Sequence, residues 1–337
     1  MSRPAPTSAR RDERDGPGTG PLDLSVVVCT RDRAPELART LDGLTRARIP
    51  EALRWELLVV DNGSTDATGD VLHGFGDRLP VRVAREPRPG LSIARNRALD
   101  EARGDALLWT DDDITVGADW IERYVEALAA HPECGFFGGA IRAAFRTGTP
   151  AWAAAAWPHV SRYWAVREPP DVGAPVTPDY VPYGANFAIR REIQRRYPYD
   201  PELGRRPGDL RSGEEWDVLR RALADGVRGR WVAAAVDHRI GAERATPEFV
   251  CAVARAIGRA GAETLAGAGP TWRGRPVRLW RVFAGLSVRY ALARLAGDPA
   301  KWVPLALERA RARGQLDGAG AGPGTPGAGD GATETSR

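Results

Sequence analysis

Ala106-Leu-Leu-Trp-Thr-Asp-Asp-Asp113 is the stretch on which the fold turns. Four apolar residues and a threonine in unbroken succession read as a strand buried on both faces, the pattern of a parallel sheet. Three carboxylates follow at once, where a strand of an open α/β sheet presents its ligands, outside its carboxyl end. Toward the N-terminus, Leu24-Ser-Val-Val-Val-Cys29 and Glu56-Leu-Leu-Val-Val60 repeat the apolar run, and Val81–Arg85 gives a further strand. Helices are expected at Pro35–Arg46, with Leu37, Leu41 and Leu44 on one face, at Ser92–Arg103 and at about 118–130. Strands and helices alternating at this spacing predict βαβ units and a mostly parallel, Rossmann-like sheet flanked by helices. Downstream, Tyr183–Ile189 and Arg230–Val236 are expected strands and Gly213–Asp225 an expected helix. The Trp-, Tyr- and Pro-rich residues 145–182 are expected to be irregular.

The 337 residues carry 48 basic against 44 acidic side chains, a net of +4. That balance excludes a nucleic-acid binder held by a broad basic face. The cysteines Cys29, Cys134 and Cys251 are odd in number and widely spaced, which fits neither a disulfide scaffold nor a zinc site and suits a reducing compartment. The N-terminal arginines have no apolar segment behind them, so no secretory signal is expected, and no apolar run is long enough to span a bilayer. The expected location is cytoplasmic. Residues 1–21 and 314–337, rich in Gly and Pro, are expected to be disordered tails.

Three acidic sites fall at predicted strand ends: Asp61, the triplet Asp111, Asp112 and Asp113, and the pair Asp237-His238. Adjacent carboxylates repel one another, so the triplet calls for a cation among them. A hard divalent ion, Mg²⁺ or Mn²⁺, held by one or two carboxylates and substrate phosphates meets that need. A solvated acidic loop is the plainer alternative, and the buried strand directly before the triplet argues against it. Asp61 in Asp61-Asn-Gly-Ser-Thr-Asp66 is also good turn chemistry. Gly90-Leu-Ser-Ile-Ala-Arg95-Asn-Arg97 opens a helix with arginines in its first turns, a setting that attracts phosphate. Gly213-Glu214-Glu215-Trp216 sets two carboxylates beside an aromatic at a helix start, a candidate general base next to a sugar-stacking wall. Ordinary helix-dipole pairing is the competing explanation. His238 stands equally open as structural residue or metal ligand.

Taken in order, Val26-Val-Val-Cys-Thr30-Arg-Asp-Arg33, Val59-Val-Asp61-Asn-Gly-Ser-Thr-Asp66, Gly90-Leu-Ser-Ile-Ala-Arg95, Trp109-Thr-Asp-Asp-Asp113, Gly184-Ala-Asn186, Ser212-Gly-Glu-Glu215 and Val236-Asp-His238 resemble the family 2 glycosyltransferases with the GT-A fold. The resemblance covers about residues 22–240. It implies inverting transfer of a hexosyl group from a nucleotide-diphosphate donor, UDP- or dTDP-linked, to a glycan, lipid-linked or small-molecule acceptor. By position it implies that Thr30 and Arg31 line the nucleotide pocket, Asp61 accepts from the base, and Arg95 touches the diphosphate. Asp111 to Asp113 stand where the family has its DXD motif, with Asp111 and Asp112 toward the donor and Asp112 and Asp113 toward the metal. Glu215, with Glu214 as its alternative, takes the place of the base, and His238 that of a further metal ligand. A nucleotidyltransferase is the runner-up, weakened by the lack of a Gly-rich, Lys-bearing loop after the first strand. An inactive sugar-nucleotide-binding scaffold is another.

The resemblance sets a GT-A body at 22–270 and a basic helical extension at 271–313. Residues 273–313 hold ten basic residues against Asp298 and Glu308, a net of +8. On a helical wheel Leu279, Phe283, Leu286 and Tyr290 share one face, and Arg278, Arg281 and Arg289 another. Such a helix either lies on the inner face of the cell membrane as a peripheral contact or packs on the body with its arginines solvated.

Overall fold

The computed structural model describes residues 22–262 and 270–319. The expected N-terminal tail lies outside the described residues. The chain runs β1 (Leu22–Thr30), α1 (Ala34–Leu44), β2 (Trp55–Asp61), α2 (Thr68–Gly74), β3 (Val81–Arg85), α3 (Leu91–Glu101) and β4 (Gly104–Asp111). It continues through β5 (Ile114–Val116), α4 (Trp120–Ala130), β6 (Cys134–Phe145), the short helices α5 (Ala151–Ala155) and α6 (Trp157–Val160), and β7 (Asn186–Arg190). After α7 (Arg191–Arg196) come α8 (Glu214–Ala224), β8 (Arg228–Ile240) and α9 (Pro247–Ala260). A hairpin of β9 (Thr271–Trp272) and β10 (Arg275–Pro276) leads to α10 (Val277–Leu295) and α11 (Pro299–Gly318).

Eight strands form one sheet in the order β3-β2-β1-β4-β7-β6-β8-β5. The first four are parallel, as the βαβ reading requires, whereas β7 runs antiparallel to both its neighbours and β5 antiparallel to β8. Register places Thr30 beside Asp61 and Cys29 beside Asp111, so three predicted site segments end side by side at one sheet edge. Two apolar layers cover the sheet. Leu37, Leu41 and Leu44 of α1 are fully buried on one face, and Ala94 and Ala98 of α3 are buried on the other. Each fully buried Leu or Val contributes about 1.5–3 kcal/mol.

Two expectations need correction, on Asp237-His238 and on the C-terminal tail, and two packing features were not foreseen. The long strand β6 carries Gly135, Gly138 and Gly139, which dilute its apolar signal. They are there because a Cβ on Gly139 would stand 2.1 Å from the Ala234 carbonyl oxygen of β8. Asp237 and His238 lie inside β8, not beyond it, because the strand continues to Ile240 to pair with β5 and β6. The tryptophans of 145–182 are not an open loop: Trp157 and Trp164 stack on one another, and Trp164 meets Phe145 edge-on at 4.9 Å. These rings form a third core with α9 and α11. Finally, α11 runs to Gly318, past the expected tail boundary at 314. It packs so closely on α9 that a Cβ on Gly314 would lie 1.9 Å from the Arg255 carbonyl oxygen. The rest of that tail, from residue 320, lies outside the described residues.

The face of α10 that bears Leu279, Phe283, Leu286 and Tyr290 is turned inward, with Leu279 buried and Tyr290 edge-on to Trp302 of α11. No helix among the described residues is long and apolar enough to cross a membrane.

Candidate active site

At the carboxyl edge of the sheet lies a cavity of about 560 Å³. Thr30, Arg31, the Asp triplet, Arg95, Glu214, Glu215 and His238 all line it, although they are drawn from positions 30 to 238 of the chain. Asp61 is not among the lining residues. Its carboxylate accepts the Ser64 N–H at 2.8 Å, the turn-forming role its sequence also allowed, while its neighbour Asn62 reaches the cavity. Asn62 accepts the Gly90 N–H and donates to the carbonyls of Glu86 and Arg88, so one side chain fixes the loop that enters α3.

The loop after β1 is clamped to the loop after β2. Asp32, in the left-handed region at φ 51°, accepts from the Thr65 N–H and hydroxyl, and its own N–H donates to the Ser64 hydroxyl. Arg31 donates to the Asn62 carbonyl at 2.7 Å. Thr30 donates to Asp112 at 2.8 Å, and the Asp112 carbonyl accepts from Thr40. Burial, with Asp113 alongside, pushes the Asp112 carboxyl up to about 7 despite the attraction of Arg33.

Asp113 is the most heavily compensated acid. Its Oδ2 lies 2.9 Å from Arg33, 2.7 Å from Arg244 and 3.3 Å from His238 Nε2. Burial opposes its ionisation, but His238, Arg244 and Arg33 hold its carboxyl well below the usual carboxylate range. His238 Nδ1 lies 2.6 Å from the Trp164 carbonyl oxygen. A carbonyl only accepts, so that nitrogen carries a proton, and the ring turns its Nε2 toward Asp113. An imidazole nitrogen and a carboxylate oxygen converging this way fit Mn²⁺ or Mg²⁺. Among the described residues no group of three or more His, Cys, Asp or Glu side chains is arranged as a complete metal cage. An ion here would therefore complete its shell from a bound diphosphate and water.

Arg95 lines the cavity and is engaged by acids of the chain. It is buried, donates to Glu214 at 2.8 Å, and lies 3.5 Å from Glu215 and 3.6 Å from Asp111. A buried cation collects the nearest anions, and here it ties the α8 pair to the triplet. Gly184 permits this, because a Cβ there would stand 2.2 Å from the guanidinium. Burial and the adjacent Glu215 push the Glu214 carboxyl up to about 7 against the pull of Arg95. Glu215 has one buried carboxylate oxygen without a hydrogen-bond donor among the described residues. The N-terminus of α3, expected to receive phosphate, is already occupied: the Leu91 N–H donates to the Arg205 carbonyl and Ser92 to the Leu203 carbonyl. Trp216 is not in the cavity wall; it is 42% exposed and stacked under Arg220. Asn186 is structural, receiving Trp120 and Tyr124 and donating to the carbonyls of Ala140 and Ala234. Arg33 and Arg244 were missed from sequence. Arg33 stood inside a quoted motif, but Arg244 lies six residues past His238 with no pattern to mark it.

A parallel half-sheet, strand-end carboxylates and a facing glutamate pair define the GT-A class of glycosyltransferase. A family model described as glycosyl transferase family 2 matches residues 25–197. The chain belongs to that family. It is 34% identical over 133 residues to the succinoglycan biosynthesis protein ExoM of Rhizobium meliloti, covering 39% of this chain and 42% of that protein. It is 37% identical over 111 residues to the validoxylamine A glucosyltransferase of Streptomyces hygroscopicus subsp. jinggangensis, covering 32% and 25%. The matches thus span less than half the length of these curated relatives. The mannosyltransferase PcManGT of Pyrobaculum calidifontis, solved with GDP-Man and Mn²⁺, shares the fold at a TM-score of 0.52 and 18% identity over 91% of this chain and 77% of that one.

Proposed function

We propose that this family 2 glycosyltransferase moves a hexosyl group from a nucleotide-diphosphate sugar, UDP- or dTDP-linked, to an acceptor hydroxyl with inversion. The observation that carries the reading is the cavity itself, which joins the buried Asp triplet and His238 to the glutamates that open α8. Thr30 and Arg31 contact the nucleotide, with Asp61 at the rim toward its base, and Asp111 and Asp112 stand on the donor side. Asp113 and His238, with Asp112 behind them, hold a divalent ion. When bound, that ion neutralises charge on the departing diphosphate.

Glu215 acts as the base. Its carboxylate takes the acceptor hydroxyl proton as the oxygen bonds to the anomeric carbon and the bond to the diphosphate oxygen breaks, releasing a nucleoside diphosphate. Base and leaving group on opposite faces give a β product from an α donor. General-base help is worth roughly 10²–10⁴ in rate. Glu214 is tied to Arg95 at 2.8 Å and positions the pair. The test is a panel of sugar nucleotides with Mn²⁺, read by nucleotide release. Release that depends on Glu215 and on an added acceptor supports the reading, whereas pyrophosphate formation from a sugar phosphate and a nucleoside triphosphate would favour a nucleotidyltransferase.

A peripheral membrane contact is the second element of the proposal, with 22–270 as body and 271–313 as the contacting extension. It rests on the outward face of α10, where Val282, Val288, Leu292 and Leu295 are exposed among Arg281 and Arg289, and on the exposed Trp272. This is the side opposite the apolar stripe first visible in the sequence. No acidic residue lies on α10. Apolar side chains interleaved with arginine suit an anionic lipid surface.

A further inference from the structure

Eight arginines line the cavity against six carboxylates. A divalent ion and the donor diphosphate roughly offset each other, so the positive excess remains. Its sources are specific. Arg31, Arg33 and Arg95 are committed to the nucleotide side: Arg31 to the Asn62 carbonyl, Arg33 to Asp112 and Asp113, Arg95 to Glu214. Of the other five, Arg206 is spent on the Pro201 carbonyl and Glu202, and four come from elements that carry none of the strand-end motifs. Arg162 lies in the helical turn before residue 165, Arg205 in the loop leading to α8, Arg244 in the turn after β8, and Arg311 on α11.

These four are poorly satisfied within the chain. Arg162 donates only to the Tyr163 hydroxyl. Among the described residues the side chains of Arg205 and Arg311 make no hydrogen bond or ion pair. Arg244 spends one nitrogen on Asp113, while its Nε is buried without a partner. Arg162, Arg205 and Arg311 are exposed and Arg244 is half-buried, so guanidinium donors from four elements stand open to an oxyanion entering the cavity. Val253 and Ile257 of α9 add an apolar wall beside them.

We propose that Arg162, Arg205, Arg244 and Arg311 form an acceptor-side anion subsite, so that the acceptor bears a phosphate-type group near the hydroxyl that Glu215 deprotonates. This rests on the glycosyl-transfer reading of the cavity. The shared chemistry is phosphate, which either the donor diphosphate or the acceptor could supply, and calorimetry with UDP and Mn²⁺ separates the two. Glycerol 3-phosphate is titrated into protein saturated with UDP and Mn²⁺, with glycerol as the neutral control.

The expected result is that glycerol 3-phosphate binds and glycerol does not. Arg205→Gln and Arg311→Gln are each expected to weaken that binding about tenfold, the worth of one charge-assisted hydrogen bond. UDP affinity should stay within about twofold of wild type, which also shows that the variants fold. Competition between glycerol 3-phosphate and UDP would reassign the arginines to the donor diphosphate and overturn the proposal. So would unchanged glycerol 3-phosphate binding in the double variant, or none by wild type. Failure of the wild type to bind UDP with Mn²⁺ would instead overturn the transferase reading, and the subsite with it.

Discussion

Glu214 meets the buried guanidinium of Arg95 at 2.8 Å through Oε1, while Oε2 of Glu215, the next residue, stands 3.5 Å from the same cation with no hydrogen bond among the described residues. Adjacent glutamates on one helical turn thereby acquire different duties. The Glu215→Gln variant is expected to keep the fold and donor binding and to lose roughly 10²–10⁴ in turnover. Glu214→Gln should lose less turnover, with a limited cost in stability, because burial already disfavours the Glu214 charge and Glu215 and Asp111 stay near the cation. Steady-state kinetics and urea unfolding on both variants decide; a reversed order of the two effects would move the base to Glu214.

UDP binding should weaken strongly in EDTA and return with Mn²⁺ or Mg²⁺, since Asp113 and His238 Nε2 present an oxygen and a nitrogen to one point. Asp113→Ala should reproduce the chelated state. Calorimetric affinity for UDP that is indifferent to EDTA would remove the ion from the scheme.

Acid stability should depend on Glu56, far from the cavity. Its buried carboxylate accepts from Ser25, Arg103 and Arg82 at 2.6, 2.8 and 2.7 Å. Burial opposes its charge, yet Arg82 and the other donors leave its pKa below the ordinary value. A depressed carboxyl stabilises the fold above its unfolded pKa of about 4.3, and that contribution is lost as pH falls through the lower folded value. Unfolding midpoints measured across acid pH should therefore drop less steeply in Glu56→Gln than in the parent. The variant should be less stable than the parent at neutral pH, where the parent carboxylate is ionised.

Flotation with anionic vesicles tests the outward face of α10. Binding at low salt should vanish at high salt and in a Leu292→Glu, Arg281→Glu variant. Removing everything after Pro270 is not an informative control, because Trp302, Val303 and Leu307 of α11 are buried in the third core. Equal flotation of parent and variant would exclude this face.

The parallel half of the sheet was legible because its strands are unbroken apolar runs bounded by Asp and Asn, and Leu37, Leu41 and Leu44 fell on the buried face as their spacing required. What escaped was set by contacts distant in sequence. Gly139 of β6 looks like a turn residue until Ala234 is seen against it, and Gly314 looks like the start of a loose tail until α9 is laid across it. In the site, carboxylates after strands could be found by position. Which arginine answers which acid could not, because Arg33, Arg95 and Arg244 reach the triplet from separate elements and arginine is common throughout the chain.

The neutralisation of Asp113 by Arg33 and Arg244 has a consequence for how the protein is made. Acids already balanced from within the chain do not wait for an ion in order to fold, unlike a zinc finger, whose structure appears only with its metal. On the proposed mechanism, folding would then precede the binding of cation and sugar nucleotide and would not require either.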